Sequence, residues 1–317
     1  MILKSSTATI GLAHKDLVAP GQFTTAEIEA LFATGAEAKA APTLYRDALS
    51  CKTITLLFEK PSLRTRVSFE VGAAKLGGTA IYLDHAASRI GERETIADYA
   101  RNLSLWTDAI VARTFSHQTI EELALHASIP VINGLSELHH PCQALADFFT
   151  MKENFGDLAG LKVAYIGDGN NVCNSLIVMG ALLGVHLTVI CPVGFDPDKM
   201  AIAEALKIGR RTGADLMITD EIEAVHERHV VYTDTWVSMG QADAERRHAT
   251  FQPYQVNKAV LEMAADDAIF MHCLPAHRGA EVSADVIDSP ASAVLQQAEN
   301  RMHMQNALLI KLLSEAA

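Results

Sequence analysis

An α/β protein of two doubly wound parallel-sheet domains joined by crossing helices is the fold this sequence predicts. Short β-branched apolar runs alternate with helical patterns along the chain, which is the arrangement that builds parallel sheets covered by helices on both faces. The runs fall into two groups. The 317 residues, 49% of them hydrophobic, suffice for two cores.

The first group of strand-like runs lies at 53–58, 79–83, 109–112 and 130–132. Its opening run, TITLLF, leads directly into EKPSLRTRVSFE. Pro61 and Ser62 mark a helix start there, and Val67, Val71, Ala74 and Leu76 recur at helical spacing. The second group lies at 162–166, 187–191, 215–218, 230–233 and 268–271. Between the groups, HHPCQALADFFTMKENFG reads as a helix with Leu145, Phe148, Phe149 and Phe155 as packing positions. Residues 293–313 also read as a helix, one that returns to the first domain. The expected boundaries are a first domain over 1–138, completed by a C-terminal helix at about 298–317, and a second over 139–297. The least regular stretch is 238–255, with Gly240 near its start and Pro253 near its end; it is expected to be a long functional loop.

Composition narrows the function. A net charge of −12 argues against a general nucleic-acid binder, so the basic residues around Arg64 and Arg66 form a local feature suited to a small anion. The five cysteines form no C-x-x-C pair, and their odd number fits a reducing compartment. The opening MILKSSTATIGLAHKDL has neither a signal-length apolar core nor an arginine, and no apolar run approaches the ~20 residues that span a bilayer. A soluble cytoplasmic protein with no membrane contact is the expectation.

Ligands of open α/β sheets bind at the carboxyl ends of strands, so the polar residues there are the candidates. After the first run stand Ser62, Leu63, Arg64 and Thr65. Helix-start N–H groups, two hydroxyls and a guanidinium suit phosphate oxygens, although a capped helix with solvated arginines has the same pattern. Arg113 follows the third run; taken alone it is a surface ion-pair partner before it is a ligand. His139-His140-Pro141-Cys142-Gln143 opens the crossing helix. Adjacent histidines diverge on a helix and no carboxylate completes a ligand set, so His140 reads equally as structural or functional and not as a metal ligand. The turn in VAYIGDGNNV imitates a dinucleotide fingerprint, but Val172 stands where its third glycine belongs and no acidic residue ends the next run. That disfavours a nicotinamide-dependent dehydrogenase, and the amides Asn170 and Asn171 better suit a carboxylate. Asp234 could bind an ammonium or cap a turn. Cys273, in Met-His-Cys-Leu-Pro, could be a buried apolar residue or face a ligand.

The order of these stretches resembles the transcarbamoylases: Ser-x-Arg-Thr-Arg, then Arg113, then His-Pro-x-Gln. Asp234 with Ser238-Met239-Gly240, followed by His272-Cys273-Leu274-Pro275, narrows the resemblance to the ornithine carbamoyltransferases. It runs from about Lys15 to the C-terminus. The resemblance implies transfer of a carbamoyl group from carbamoyl phosphate to the δ-amine of L-ornithine, giving L-citrulline and phosphate in arginine metabolism. It implies a homotrimer with active sites at subunit interfaces, and neither metal nor organic cofactor. By the same resemblance Ser62, Leu63, Arg64 and Thr65 hold phosphate, while Arg113, His140, Gln143 and Arg301 hold the carbamoyl group and neighbouring oxygens. Asn171, Asp234, Ser238 and Met239 hold the amino-acid end of ornithine, and Cys273 and Leu274 lie beside the reacting amine. Arg113, His140, Asp234 and Cys273 are the implied catalytic residues. Arg89 departs from the pattern, because the family often has glutamine or histidine there on a loop that reaches the neighbouring subunit; its positive charge suits phosphate. A silent paralogue would have lost one of these residues. A putrescine-specific relative would have no carboxylate for Asn171 to bind.

Overall fold

The computed structural model describes residues 11–237 and 243–314. It divides into two compact units, one of residues 1–146 and 300–317 and the other of 147–299. Both boundaries fall inside helices.

The first unit is built on a four-stranded, all-parallel sheet of β1 (Thr53–Phe58), β2 (Thr79–Asp84), β3 (Ala109–Arg113) and β4 (Val131–Leu135), in the order β2-β1-β3-β4. β1 and β3 are buried throughout or nearly so, as expected of central parallel strands. Helices α1 (Thr25–Ala40), α2 (Leu63–Lys75), α3 (Ile96–Trp106) and α4 (His117–His126) connect and cover them. Leu57, Ile110, Ala112 and Val131 pack with Ala100, Leu103, Ile120 and Leu123 in one core. Beside Arg113 the ladder shifts, with Ala112 paired to Asn133 and Arg113 to Leu135. The extra residue, Gly134, makes a bulge of the kind that re-aims a neighbouring side chain.

The second unit carries β5 (Lys162–Ile166), β6 (His186–Ile190), β7 (Leu216–Thr219), β8 (Val230–Thr233) and β9 (Ile269–His272), again all parallel, in the order β7-β6-β5-β8-β9. Its helices are α6 (Asn171–Leu182), α7 (Lys199–Thr212), α8 (Ala244–Phe251), α9 (Lys258–Met263) and α10 (Ala284–Ile287). Helices α5 (Pro141–Phe155) and α11 (Val294–Leu313) each contain one unit boundary. Leu145, Phe148 and Phe149 of α5 are buried.

One expectation needs correction. The stretch 238–255 is not irregular throughout, because α8 and a short 3-10 turn occupy 244–254. Only Phe251 of α8 is buried, so the helix leaves almost no apolar periodicity to read. On α2, Val67 and Val71 are exposed, and the buried face is Thr65, Phe69, Gly72 and Ala73. The apolar spacing there indicated the helix without saying which face is buried.

The turn after β5 tolerates no side chain at Gly169. A Cβ built there would lie 2.3 Å from both Asp196 C and Pro197 N, and the Gly169 N–H donates to Phe195 O at 2.8 Å. Gly169→Ala must therefore push the β5–α6 turn away from the segment after β6. The expected cost is about 1–3 kcal/mol, measured as a lowered midpoint of urea unfolding. A parental midpoint would show that the turn yields freely.

Candidate active site

In the first unit, β1 is flanked by β2 on one side and β3 on the other, so the chain order reverses between the carboxyl ends of β1 and β3. Such a reversal opens a crevice for ligands. Ser62 caps α2 there, its Oγ accepting the Thr65 N–H at 3.2 Å. Arg64 is half-buried in the first turn. Arg113 ends β3 and is only 6% exposed, so it is not a surface ion-pair residue. From α11, the buried Arg301 donates to Gln143 Oε1 and, at 3.2 Å, to Thr65 Oγ1. Burial above all, and then the charges of Arg301 and Arg64, push the Arg113 guanidinium down to about 10. Burial likewise holds His140 well below the usual imidazole range, reinforced by Arg301, Arg113 and Arg64. Three guanidiniums thus surround a neutral imidazole. An anion among them would offset both their repulsion and the cost of their burial.

Arg66 does not belong to this group. It is exposed, pairs with Glu70 at 2.9 Å and lies 3.8 Å above the Tyr82 ring. Arg89 stands 4.7 Å over the Phe115 ring of its own chain. The loop that carries it is tied down by Glu59, a buried carboxylate that accepts the N–H groups of Ile90 at 3.0 Å and Phe115 at 2.8 Å.

In the second unit, the chain order reverses between β5 and β8, and the polar residues again collect at that point. Asp234 follows β8 and is 7% exposed. Its Oδ1 accepts the Thr235 N–H at 2.7 Å and the Cys273 thiol at 3.0 Å. Its Oδ2 accepts Asn170 Nδ2 at 2.8 Å. Desolvation and the neighbouring Asp234 raise the Cys273 thiol well above its ordinary range, so the sulfur keeps its proton and donates it. Asn171 opens α6 and is half-buried. Leu274, next to Cys273, has φ 59°, and its N–H donates to His272 Nδ1 at 2.8 Å. Within β8, the buried Tyr232 donates to Asp147, which also accepts from Gln297. Arg247 of α8 donates to Asp168 and to Trp236 O while lying against the rings of Phe195 and Phe251.

The structure therefore brings together Ser62, Leu63, Arg64, Thr65, Arg113, His140, Gln143 and Arg301 in one unit, and Asn171, Asp234, Cys273 and Leu274 in the other. Ser238 and Met239 lie outside the described residues. Glu59 and Asn170 stand in stretches singled out from sequence, yet their partners were not legible there. An acid at a strand end was the available signal for Glu59. Asp234, His272 and Cys273 bring potential ligand atoms within 4.8 Å of one another. However, His272 Nδ1 accepts the Leu274 N–H and Nε2 faces Glu281 at 3.3 Å. A cation there would have to displace those contacts, so the arrangement reads as a hydrogen-bond network. No helix among the described residues is long and apolar enough to cross a membrane.

Comparison with known proteins agrees across nearly the whole chain. Residues 15–153 match the model of the aspartate/ornithine carbamoyltransferase carbamoyl-P binding domain, and residues 159–312 that of the Asp/Orn binding domain. An ornithine carbamoyltransferase of Shewanella oneidensis is 54% identical over 87% of this chain and 92% of its own length. One of Anoxybacillus flavithermus is 50% identical over 97% and 99%. Among solved structures, the ornithine carbamoyltransferase of Pyrococcus furiosus superposes with a TM-score of 0.91 at 47% identity, covering 95% of this chain and 97% of its own. That of Thermus thermophilus gives 0.85 at 42%, covering 95% and 99%.

The state of His140 has a consequence for stability. Acidification through about pH 6.5 protonates this residue in the unfolded chain while the folded chain keeps it neutral. The unfolded state then binds more protons, so stability falls as the pH drops. His117, also lowered chiefly by burial, adds to the effect. His140→Gln should therefore lose less melting temperature between about pH 7 and about pH 5.5 than the parent does. Equal losses would contradict a neutral buried His140.

Proposed function

The chain belongs to the aspartate/ornithine carbamoyltransferase family, and we infer that it transfers the carbamoyl group of carbamoyl phosphate to the δ-amine of L-ornithine, giving L-citrulline and phosphate. The observation that carries the reading is the cluster of Arg64, Arg113 and Arg301 at the capped start of α2. It suits a phosphate with an adjacent polarisable carbonyl. In the second unit the residue that follows β8 at the strand switch is an acid, Asp234. An acid suits a cationic amino acid such as ornithine and disfavours aspartate.

The transfer sets three physical demands. Negative charge develops on the carbonyl oxygen, and fixed donors stabilise it most effectively. Arg113, His140 and Thr65 supply them, with Arg301 and Gln143 holding Thr65 and the neighbouring oxygens in place. The leaving phosphate must be neutralised, by Arg64, the Ser62 hydroxyl and the N–H groups of the first turn of α2, including that of Leu63. Finally, the attacking amine must lose a proton, which costs about 4.6 kcal/mol at pH 7 for a lysine-like group. The Cys273 thiol keeps its own proton, so Asp234 is the better acceptor of the two. Cys273 and Leu274 then line the reacting amine, while Asn171, Asp234, Ser238 and Met239 hold the amino-acid end. Every step uses groups of the chain, with no metal or organic cofactor.

The proposed assembly is a homotrimer. Leu63, Val67 and Val71 form an exposed stripe along α2, and Ile81 is exposed on the edge strand β2. Apolar surface of this kind is covered in an assembly. Arg89 would then reach the neighbouring subunit's phosphate site. Sedimentation equilibrium at three chain masses supports the trimer, and one chain mass sinks it. A cytoplasmic location accords with a reaction on small charged metabolites.

Citrulline should form from carbamoyl phosphate and ornithine, with a chelator present and no metal added. In a panel of amines, aspartate, putrescine and acetylornithine should be turned over far more slowly. Equal or faster turnover of any of them would overturn the choice of ornithine.

A further inference from the structure

We propose that Asn170 is a positioning residue for ornithine, acting by fixing the carboxylate of Asp234; the inference rests on the functional reading above. Asn170 is the N-cap of α6. Its Oδ1 accepts the N–H groups of Val172 at 2.9 Å and Cys173 at 3.1 Å. The Tyr165 hydroxyl, which donates to Asp168 O at 2.9 Å, lies 3.3 Å from the same oxygen. Two backbone donors thus identify that atom as the amide oxygen, since a nitrogen could not accept them. The amide cannot turn over. Its NH2 group must face Asp234, and Nδ2 reaches Oδ2 at 2.8 Å.

This contact spans the strand switch of the second sheet. Asn170 ends the turn after β5, and Asp234 directly follows β8, the neighbour of β5 on the other side from β6. The turn itself is fixed by the absence of room at Gly169. Asp234 Oδ1 is held by the Thr235 N–H and the Cys273 thiol. Asn170 holds the other oxygen, so both ends of the carboxylate have a set direction before substrate arrives. A binding group preorganised in this way loses less on engaging a flexible cationic amino acid than one free to rotate. A hydrogen bond to a charged group is among the stronger ones, which makes its loss measurable in ornithine binding.

The competing explanation is that Asn170 only caps α6. Serine caps comparably well but is too short to reach Asp234 as well. Asn170→Ser should therefore keep the parental melting temperature to within about 2 °C and raise KM for ornithine by about tenfold or more. KM for carbamoyl phosphate should stay within about twofold. In an Asp234→Asn background the same substitution should reduce kcat/KM for ornithine by less than about twofold, because the carboxylate through which it acts is already gone. An unchanged KM for ornithine, or the same loss in both backgrounds, would overturn the proposal. If the serine variant unfolds, Asn170→Asp retains the cap and the size but sets one carboxylate oxygen against another. A raised KM for ornithine in that variant supports the proposal, and a parental one overturns it. A parent that forms no citrulline would overturn the functional reading and this inference with it. A citrulline-forming parent with indifferent Asn170 variants would overturn the inference alone.

Discussion

The concentration of positive charge at the end of the first sheet is the constraint around which the molecule is arranged. Arg113 is buried at the tip of β3, close enough to Arg64 and Arg301 for their charges to depress it. Like charges in a site of low polarity cost stability unless something neutralises them. The fold carries that cost with the β4 bulge that seats Arg113, with α11 bringing Arg301 to Thr65 and Gln143, and with a histidine held neutral in their midst. A dianion with a carbonyl attached would offset the cost, and the same donors would then serve the developing oxyanion.

The two units use one construction twice. In each, the strand order reverses beside the first strand of the sheet, and a helix cap stands at the reversal: Ser62 in the first, Asn170 in the second. The opposite electrostatics come from what ends or directly follows the neighbouring strand, Arg113 in one case and Asp234 in the other. One unit therefore suits an anion and the other a cation. The Cys273 thiol keeps its proton and donates it to Asp234 Oδ1.

Much of this was legible in the sequence, because buried parallel strands are read from local composition. TITLLF, AIVAR and KVAYI announce themselves by β-branched and apolar residues, and polar residues directly after them mark the carboxyl ends. What was hidden depends on contacts distant along the chain. Arg113 looks like a surface residue until β4 and α11 are placed around it. Arg64 and Arg66 look alike, yet a rotation of two residues on a helix sends one to the cluster and the other to Glu70 and Tyr82. Val67 and Val71 mark the helix by their spacing, but spacing alone does not reveal that they are exposed. Helix α8 escaped notice because its polar composition carries little periodicity. Asn170 was read as suited to a carboxylate; in the structure its amide donates to the chain's own Asp234.

A buried arginine cluster suited to the phosphate and carbonyl of carbamoyl phosphate should bind that molecule without help from ornithine. The midpoint of urea unfolding at 25 °C, measured with and without freshly dissolved carbamoyl phosphate and without ornithine, reads that binding most directly. Binding to the folded chain alone stabilises it by about 2.7 kcal/mol at a hundredfold excess over the dissociation constant, so the midpoint should rise with ligand concentration. A midpoint indifferent to carbamoyl phosphate up to millimolar concentrations would contradict the account.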